Sequence, residues 1–382
     1  MESGSKKVQV NIAGAILLGL LCCVFVLFSV LLLVLGTVEL PEPKAQSDVA
    51  MMDRFDSIVE TALMQAEEAA KSVKKRFWLD EDAQEGPVPD PEKFGSTDDP
   101  ASMQWLLDEA QELLDGQNTV FSTDTVIRRG SEVTYYLDET ILAITWKQVI
   151  DNCVYTISEV KISDPSQFRR HLEDEVFDGP KLSTPTKMSQ KVNAVVGSSA
   201  DHYRGRKAGI IVYDGQVMRM NNAKNVDTCY FDINGDMHFS YRGEVMDQES
   251  AQKFVDENQI RFSIAFGPVL VDNGERCEPA GYALGEVNDK YARAAICQMG
   301  PLHYLVMSAN NEPGYWNHLT IHEFAKRVEE FGCIKAYAMD GGNTGSIVMN
   351  GKLINRTTFG YERAQGDLLY FCTAIPNSSG KE

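Results

Sequence analysis

Between residues 12 and 35 the chain is almost wholly apolar and carries no charged side chain. As a helix rising about 1.5 Å per residue this run spans about 36 Å, enough to cross a bilayer core of about 30 Å. Lys6 and Lys7 precede it while Glu39 and Glu42 follow it, and the positive flank stays in the cytoplasm. The pattern predicts a cytoplasmic N-terminus (1–11), a membrane anchor (12–38) and an extracytoplasmic remainder. A cleaved signal would have an apolar core of about 7–15 residues and a small-x-small cleavage site, neither of which fits.

Beyond the anchor the period changes. Met52, Phe55, Ile58, Val59, Ala62 and Leu63 recur at helical spacing, with a basic end at Lys71, Lys74, Lys75 and Arg76, predicting a helical stalk over 48–76. The stalk is too short to specify a coiled coil over several heptads, so self-association there is a structural alternative for the chain. Residues 77–100 are rich in Asp, Glu, Pro and Gly and predict a solvated acidic linker.

A short helix is expected over 103–114, and from about 120 short apolar or alternating runs take over, including 132–136, 153–160, 208–213 and 229–233. Asp214-Gly215, Asn234-Gly235 and Asn350-Gly351 are two-residue hairpin turn signals between such runs. Helices return at 250–258 and 319–331. In the latter, Thr320 and Glu323 have capping-box spacing, and Ile321, Phe324, Ala325, Val328 and Phe331 make one apolar face before Gly332. A buried strand over 334–339 should follow, then the flexible turn 340–345. The class is α+β, with mixed, largely antiparallel sheets and flanking helices in one domain over 101–376.

Composition narrows the function. Lys plus Arg number 36 against 55 Asp plus Glu, a formal charge of −19 that repels phosphate backbones and excludes nucleic acid as a partner. With 43% hydrophobic residues the chain can bury a full core. Cys153, Cys229, Cys277, Cys297, Cys333 and Cys372 contain no CxxC pair and suggest no zinc site. An extracytoplasmic location permits disulfides, apolar surroundings favour buried thiols, and spacing assigns no pairing. Cys22 and Cys23 read as packing within the anchor. His318 and His322 are four apart at a helix start without a His-Glu-x-x-His pattern, which reads as a solvated helix face. No metal and no cofactor are implied, although loop carboxylates leave a divalent ion open.

The most informative segment is the strand-to-loop junction Ala336-Tyr337-Ala338-Met339-Asp340-Gly341-Gly342. It places a carboxylate at the end of a buried strand, beside glycines that admit a ligand to the backbone. Upstream are Phe266-Gly267-Pro268, the arginine run Tyr291-Ala292-Arg293-Ala294-Ala295-Ile296-Cys297 and Gly300-Pro301-Leu302-His303-Tyr304; downstream is Glu362-Arg363-Ala364-Gln365-Gly366-Asp367. In this order the motifs resemble the phosphodiester glycosidase family over roughly 145–375.

The chain departs from that family at a few positions. Ser199-Ala200 stands where the family usually has Asn-Gly, while Asp201 and Tyr203 remain and His202 replaces an aromatic residue. Asn343-Thr344-Gly345-Ser346 stands for Gly-Ser-Ser, and Cys297 for a frequent Gly. The literal Asn234-Gly235-Asp236 reads as a hairpin turn, not as the family motif.

The resemblance implies a membrane-anchored hydrolase acting on a glycosyl phosphodiester or glycan of the cell envelope or an exopolysaccharide. Arg293 and Arg363 are then the phosphate-binding cations, since a planar guanidinium grips phosphate oxygens at two points. Asp201 and Asp340 become the carboxylate pair at an oxocarbenium-like transition state, as nucleophile or as base, with their separation deciding retention or inversion. Ser199, His202, Tyr203, His303, Gly341, Gly342, Thr344 and Ser346 are the expected substrate contacts. The alternative, prompted by Ser199-Ala200, is a catalytically degenerate ectodomain that binds a glycan or a protein.

Overall fold

The computed structural model describes residues 85–122, 132–221, 226–244, 247–277, 282 and 287–376. The expected cytoplasmic tail, anchor and stalk lie outside these residues. Among the described residues no helix is long and apolar enough to cross a membrane.

The central sheet has nine strands in the order Phe94–Thr97, Val133–Leu137, Ile141–Ile150, Cys153–Ile162, His303–Asn310, Arg293–Gly300, Lys335–Met339, Val269–Asp272 and Glu275–Arg276. All its pairings are antiparallel. Both faces are covered, so its inner strands read as near-continuous apolar runs. In Ile141–Ile150, for example, Leu142, Ile144 and Trp146 pack on one face, and Ile141 and Ala143 on the other.

Helix Ile321–Glu330 covers the first face with Phe324, Ala325 and Val328, joined by Met103 and Leu106 of helix Pro100–Glu109. Its predicted capping box is present: the Glu323 amide donates to Thr320 Oγ1 at 3.2 Å, and the Thr320 amide to Glu323 Oε2 at 2.8 Å.

The second face receives two further antiparallel sheets. One has five strands in the order Lys352–Leu353, Ile347–Met349, Val196–Ser198, Asp367–Phe371 and Phe168–Leu172; the other joins Met237–Ser240, Thr228–Asp232 and Ile260–Ile264. Phe168 knits them together, stacking on Phe371 at 4.5 Å and meeting Phe231 edge-on at 4.9 Å. The expected α+β class with largely antiparallel sheets and few helices is what the described residues adopt.

Some local expectations change. Asp214-Gly215 and Asn350-Gly351 do turn tight hairpins, with φ of 48° and 71° and of 49° and 63°. Asn234-Gly235 also lies in a hairpin, joining Thr228–Asp232 to Met237–Ser240, but not as a two-residue turn. The Asp232 carboxylate accepts the amides of Asn234 and Asp236 at 2.8 and 2.9 Å, which holds open a three-residue loop in which Gly235 alone has positive φ. Within the expected linker 77–100, Phe94–Thr97 instead pairs with Val133–Leu137 as an edge strand, because the Phe94 ring finds apolar cover 4.6 Å from Tyr136. All six described cysteines are free thiols, five of them buried in the core and Cys277 partly so.

Candidate active site

Strand Lys335–Met339 runs beside Arg293–Gly300 with Met339 opposite Ala294, so Asp340 and Arg293 emerge at the same edge of the sheet. The turn after Asp340 folds back tightly, the Thr344 and Gly345 amides both donating to the Gly341 carbonyl at 3.0 and 3.1 Å. Glycine at 341 is a steric necessity: a Cβ there would lie 2.3 Å from the Ala292 carbonyl oxygen. That close approach sets the Asp340 turn directly against the arginine strand.

A cavity of about 350 Å³ opens at this junction. Its walls include Asp340, Gly341, Gly342, Arg293, Arg363 and Arg206. Arg293 is oriented by its Nε donating to the Leu319 carbonyl at 2.9 Å and its Nη2 to the Asp289 carbonyl at 2.6 Å. Arg363 donates from Nη1 to Thr344 Oγ1 at 3.1 Å and stands 3.9 Å from Asp340 Oδ2. Arg206 lays its guanidinium 3.7 Å over the Phe266 ring, and its Nη1 has no hydrogen-bond partner among the described residues.

Burial pushes the Asp340 carboxyl above its ordinary range, while a hydrogen bond with Thr344 and the nearby His202, Arg206 and Arg363 pull it back down. His318, also on the wall, donates from Nε2 to Asn310 Oδ1 at 3.1 Å. Burial first and then the Arg293 charge lower its pKa, favouring the neutral ring. It precedes the helix and sits half-buried on the cavity, not on a solvated helix face as expected.

Of the expected site residues, the fold brings Arg293, Asp340, Arg363, Gly341 and Gly342 together on this wall. Thr344 is buried behind them and bonds Arg363. Ser199 Oγ accepts the Ser346 amide at 3.1 Å, and the Ala200 carbonyl accepts the Asp340 amide at 3.4 Å. Ser199, Ala200 and Ser346 are therefore buried supports of the turn and do not line the cavity. His202 is near enough to bias Asp340 electrostatically but is also absent from the wall.

Asp201 needs correction as a member of a reacting pair. It is fully buried, accepting the Ala265 amide at 2.7 Å, the Tyr203 amide at 3.0 Å and Arg170 Nη2 at 3.2 Å. Arg170 in turn binds Asp367 at 2.6 Å and the Ser263 carbonyl. Tyr203 is buried too, stacked on Phe177 at 5.2 Å. His303 is a second correction: it pairs with Glu159 at 2.8 Å opposite Gly300, seven residues along the strand from Arg293. At about 3.3 Å per residue that separates it from the cavity by roughly 23 Å.

Sequence reasoning missed Arg206 and Arg170. Arg206 lies in the basic run Arg204-Gly205-Arg206-Lys207 just after the Asp201 segment, a signal available for reading. Arg170 sits in the short strand Phe168–Leu172 with nothing local to show that it is buried between two acids. Among the described residues no group of three or more His, Cys, Asp or Glu side chains is placed to hold a metal ion.

Residues 189–372 match the family model described as phosphodiester glycosidase. Over 198 residues the chain is 26% identical to the SPbeta prophage-derived uncharacterized protein YomE of Bacillus subtilis strain 168, covering 50% of this chain and 30% of that protein. The chain thus spans under a third of that relative's length. Among solved structures, a hypothetical protein from Synechocystis superposes with a TM-score of 0.49 at 12% identity, over 62% of this chain and 63% of its own. The zebrafish N-acetylglucosamine-1-phosphodiester alpha-N-acetylglucosaminidase catalytic domain, auto-inhibited by its pro-peptide, gives 0.48 at 15% identity, over 69% of this chain and 92% of its own. The family-model match by itself shows the resemblance to phosphodiester glycosidases over residues 189–372, the stretch that supplies every residue lining the cavity.

Proposed function

We propose that the protein hydrolyses sugar-1-phosphodiesters in this cavity. The observation that carries the proposal is the charge arrangement: in a chain of net charge −19, one carboxylate faces three arginines on a single concave wall. Such a wall suits an anion whose charge is spread over several oxygens, held by guanidinium groups that stay protonated at any working pH.

When the bond from the anomeric carbon breaks, the departing phosphate monoester is a weak base and needs little protonation, so charge stabilisation by Arg293, Arg363 and Arg206 takes the place of a strong general acid. Asp340 supplies the carboxylate that an oxocarbenium-like transition state requires, as nucleophile or as base for water. Asp201 acts as a positioning residue: it ties the segment bearing His202 and Arg206 to the end of strand Ile260–Ile264. Ser199 and Ala200 support the Asp340 turn through a side-chain and a backbone hydrogen bond, which favours the hydrolytic reading over a degenerate binder.

Lys6 and Lys7 before the apolar run and Glu39 and Glu42 after it support an anchor over 12–38 with the cavity outside the cytoplasm, and hence envelope or exopolysaccharide glycans as substrates. Protease added to intact cells should then degrade the domain; complete protection overturns that topology. For the activity, full-length protein is incubated with a panel of sugar-1-phosphodiesters and free sugar is measured. Release that Asp340→Asn and Arg293→Met abolish supports the reading. No release from any compound, or release indifferent to both changes, ends it.

A further inference from the structure

Two large aromatic side chains stand in water at the mouth of the cavity: Phe359 is 70% exposed and Tyr361 61%. Their rings are 6.2 Å apart and inclined by only 29°, presenting two neighbouring flat faces. Phe359 also lines the cavity, so a ligand leaving it on that side passes Phe359 and meets Tyr361.

The loop that carries them is held firmly. The Phe359 amide donates to Asn343 Oδ1 at 2.6 Å, the Arg363 amide to the Asn343 carbonyl at 3.1 Å, and the Gly360 amide to the Thr357 carbonyl at 3.0 Å. Thr357 Oγ1 donates to the Tyr361 carbonyl at 2.7 Å. Asn343 belongs to the turn that begins at Asp340, so the two rings and the reacting carboxylate share one framework. Exposed aromatics on a loop this well pinned are pre-organised for contact, at little ordering cost on binding.

The surroundings indicate what lies on them. Glu362 and the exposed Arg363 follow the rings, while Thr357 and the Thr358 hydroxyl are buried, so the patch is two faces with a charged edge, too small and too interrupted to seat an acyl chain or a second subunit. A sugar ring suits it, offering an apolar C–H face to the aromatic while its hydroxyls remain solvated or bond that edge. We propose that Phe359 and Tyr361 form a saccharide platform that holds a sugar residue of the leaving group just outside the cavity. This rests on the reading above and sharpens it: the preferred substrates are phosphodiesters linking a sugar to a glycan, not to a small alcohol.

Full-length protein is assayed on two compounds sharing one sugar-1-phosphate, the departing phosphate being esterified to methyl in the first and to a trisaccharide in the second. Phe359→Ala and Tyr361→Ala should each lower the trisaccharide-to-methyl ratio of kcat/KM by about tenfold, mainly through KM, and Tyr361→Phe should preserve it. Equal losses on both compounds, or a wild-type ratio near one, overturn the platform. A phosphate-free trisaccharide titrated calorimetrically separates this from the hydrolysis proposal. If neither compound is cleaved, hydrolysis fails, and the titration alone decides. Binding lost in the double Ala variant supports the platform, whereas no binding, or binding to phosphatidylglycerol vesicles in its place, refutes it.

Discussion

Two arginine–carboxylate clusters meet in this fold, joined by the hydrogen bond from the Asp340 amide to the Ala200 carbonyl, and they do opposite things. In the inner one, Arg170, Asp201 and Asp367 have fully buried side chains, and both Asp201 oxygens are hydrogen-bonded, by two backbone amides and a guanidinium. In the outer one, the Asp340 side chain is 19% exposed, Arg363 48%, and their closest atoms are 3.9 Å apart. An acid buried away from the cavity with both oxygens bonded inside the fold, as Asp201 is, is scaffold; an acid left partly exposed beside cations at a cavity has capacity for a substrate. Residue type alone does not distinguish them.

The sharpest way to break this contrast is to neutralise each acid. Asp340→Asn is expected to reduce kcat by about 10²- to 10⁴-fold with an unchanged denaturation midpoint, checked by single-turnover kinetics beside urea unfolding. An active Asp340→Asn protein would erase the distinction.

Removing each arginine comes next. Arg170→Met strands two buried carboxylates and should destabilise the domain by about 3–5 kcal/mol, whereas Arg363→Met should change stability by no more than about 0.5 kcal/mol while impairing turnover. Urea titrations read both; equal destabilisation would mean the outer arginine is structural as well. Smaller still is Gly341→Ala, where the new Cβ collides with the Ala292 carbonyl. A loss of about 1–3 kcal/mol and a fall in kcat are expected, the latter because Asp340 is displaced from Arg293.

The subtlest tests use pH. If Asp340 acts ionised, kcat/KM climbs with pH through its raised pKa, and Arg363→Met, by removing a cation that lowers that pKa, should move the climb to higher pH. A limb that stays in place would uncouple the two residues. In the inner cluster, burial pushes the Asp367 carboxyl up to about 7, with Asp201 adding to the effect and Arg170 opposing it. Because the folded value is raised, its contribution to stability is complete below about pH 4 and is lost as pH rises towards 7. Asp367→Asn should flatten that slope in urea midpoints measured across the window; an unaltered slope assigns it elsewhere.

Local features were legible. The Thr320–Glu323 capping box, the Asp214-Gly215 and Asn350-Gly351 hairpins and the strand ending at Asp340 each depend on residues within a few positions of one another. The ordered motifs also pointed to Arg293, Asp340 and Arg363, which do share a wall. Where sequence reasoning went astray, the deciding partner was distant. His303 is in a motif next to the arginine strand, yet strand pairing puts it at the far end. Phe94 reads as linker until Tyr136 covers it.

What the sequence by itself determined, then, is the set of elements and the chemistry available at their ends, because backbone propensity, capping and turn geometry are short-range. Only the tertiary structure decided which charges would be spent on one another. Asp201 and Asp340 are equally plausible acids in the one-dimensional chain; their difference arises because Arg170, Ala265 and Tyr203 converge on one, while the other is left at a cavity edge facing three guanidinium groups. Solvation and hydrogen-bond saturation belong to the packed arrangement, and they set what a carboxylate can do.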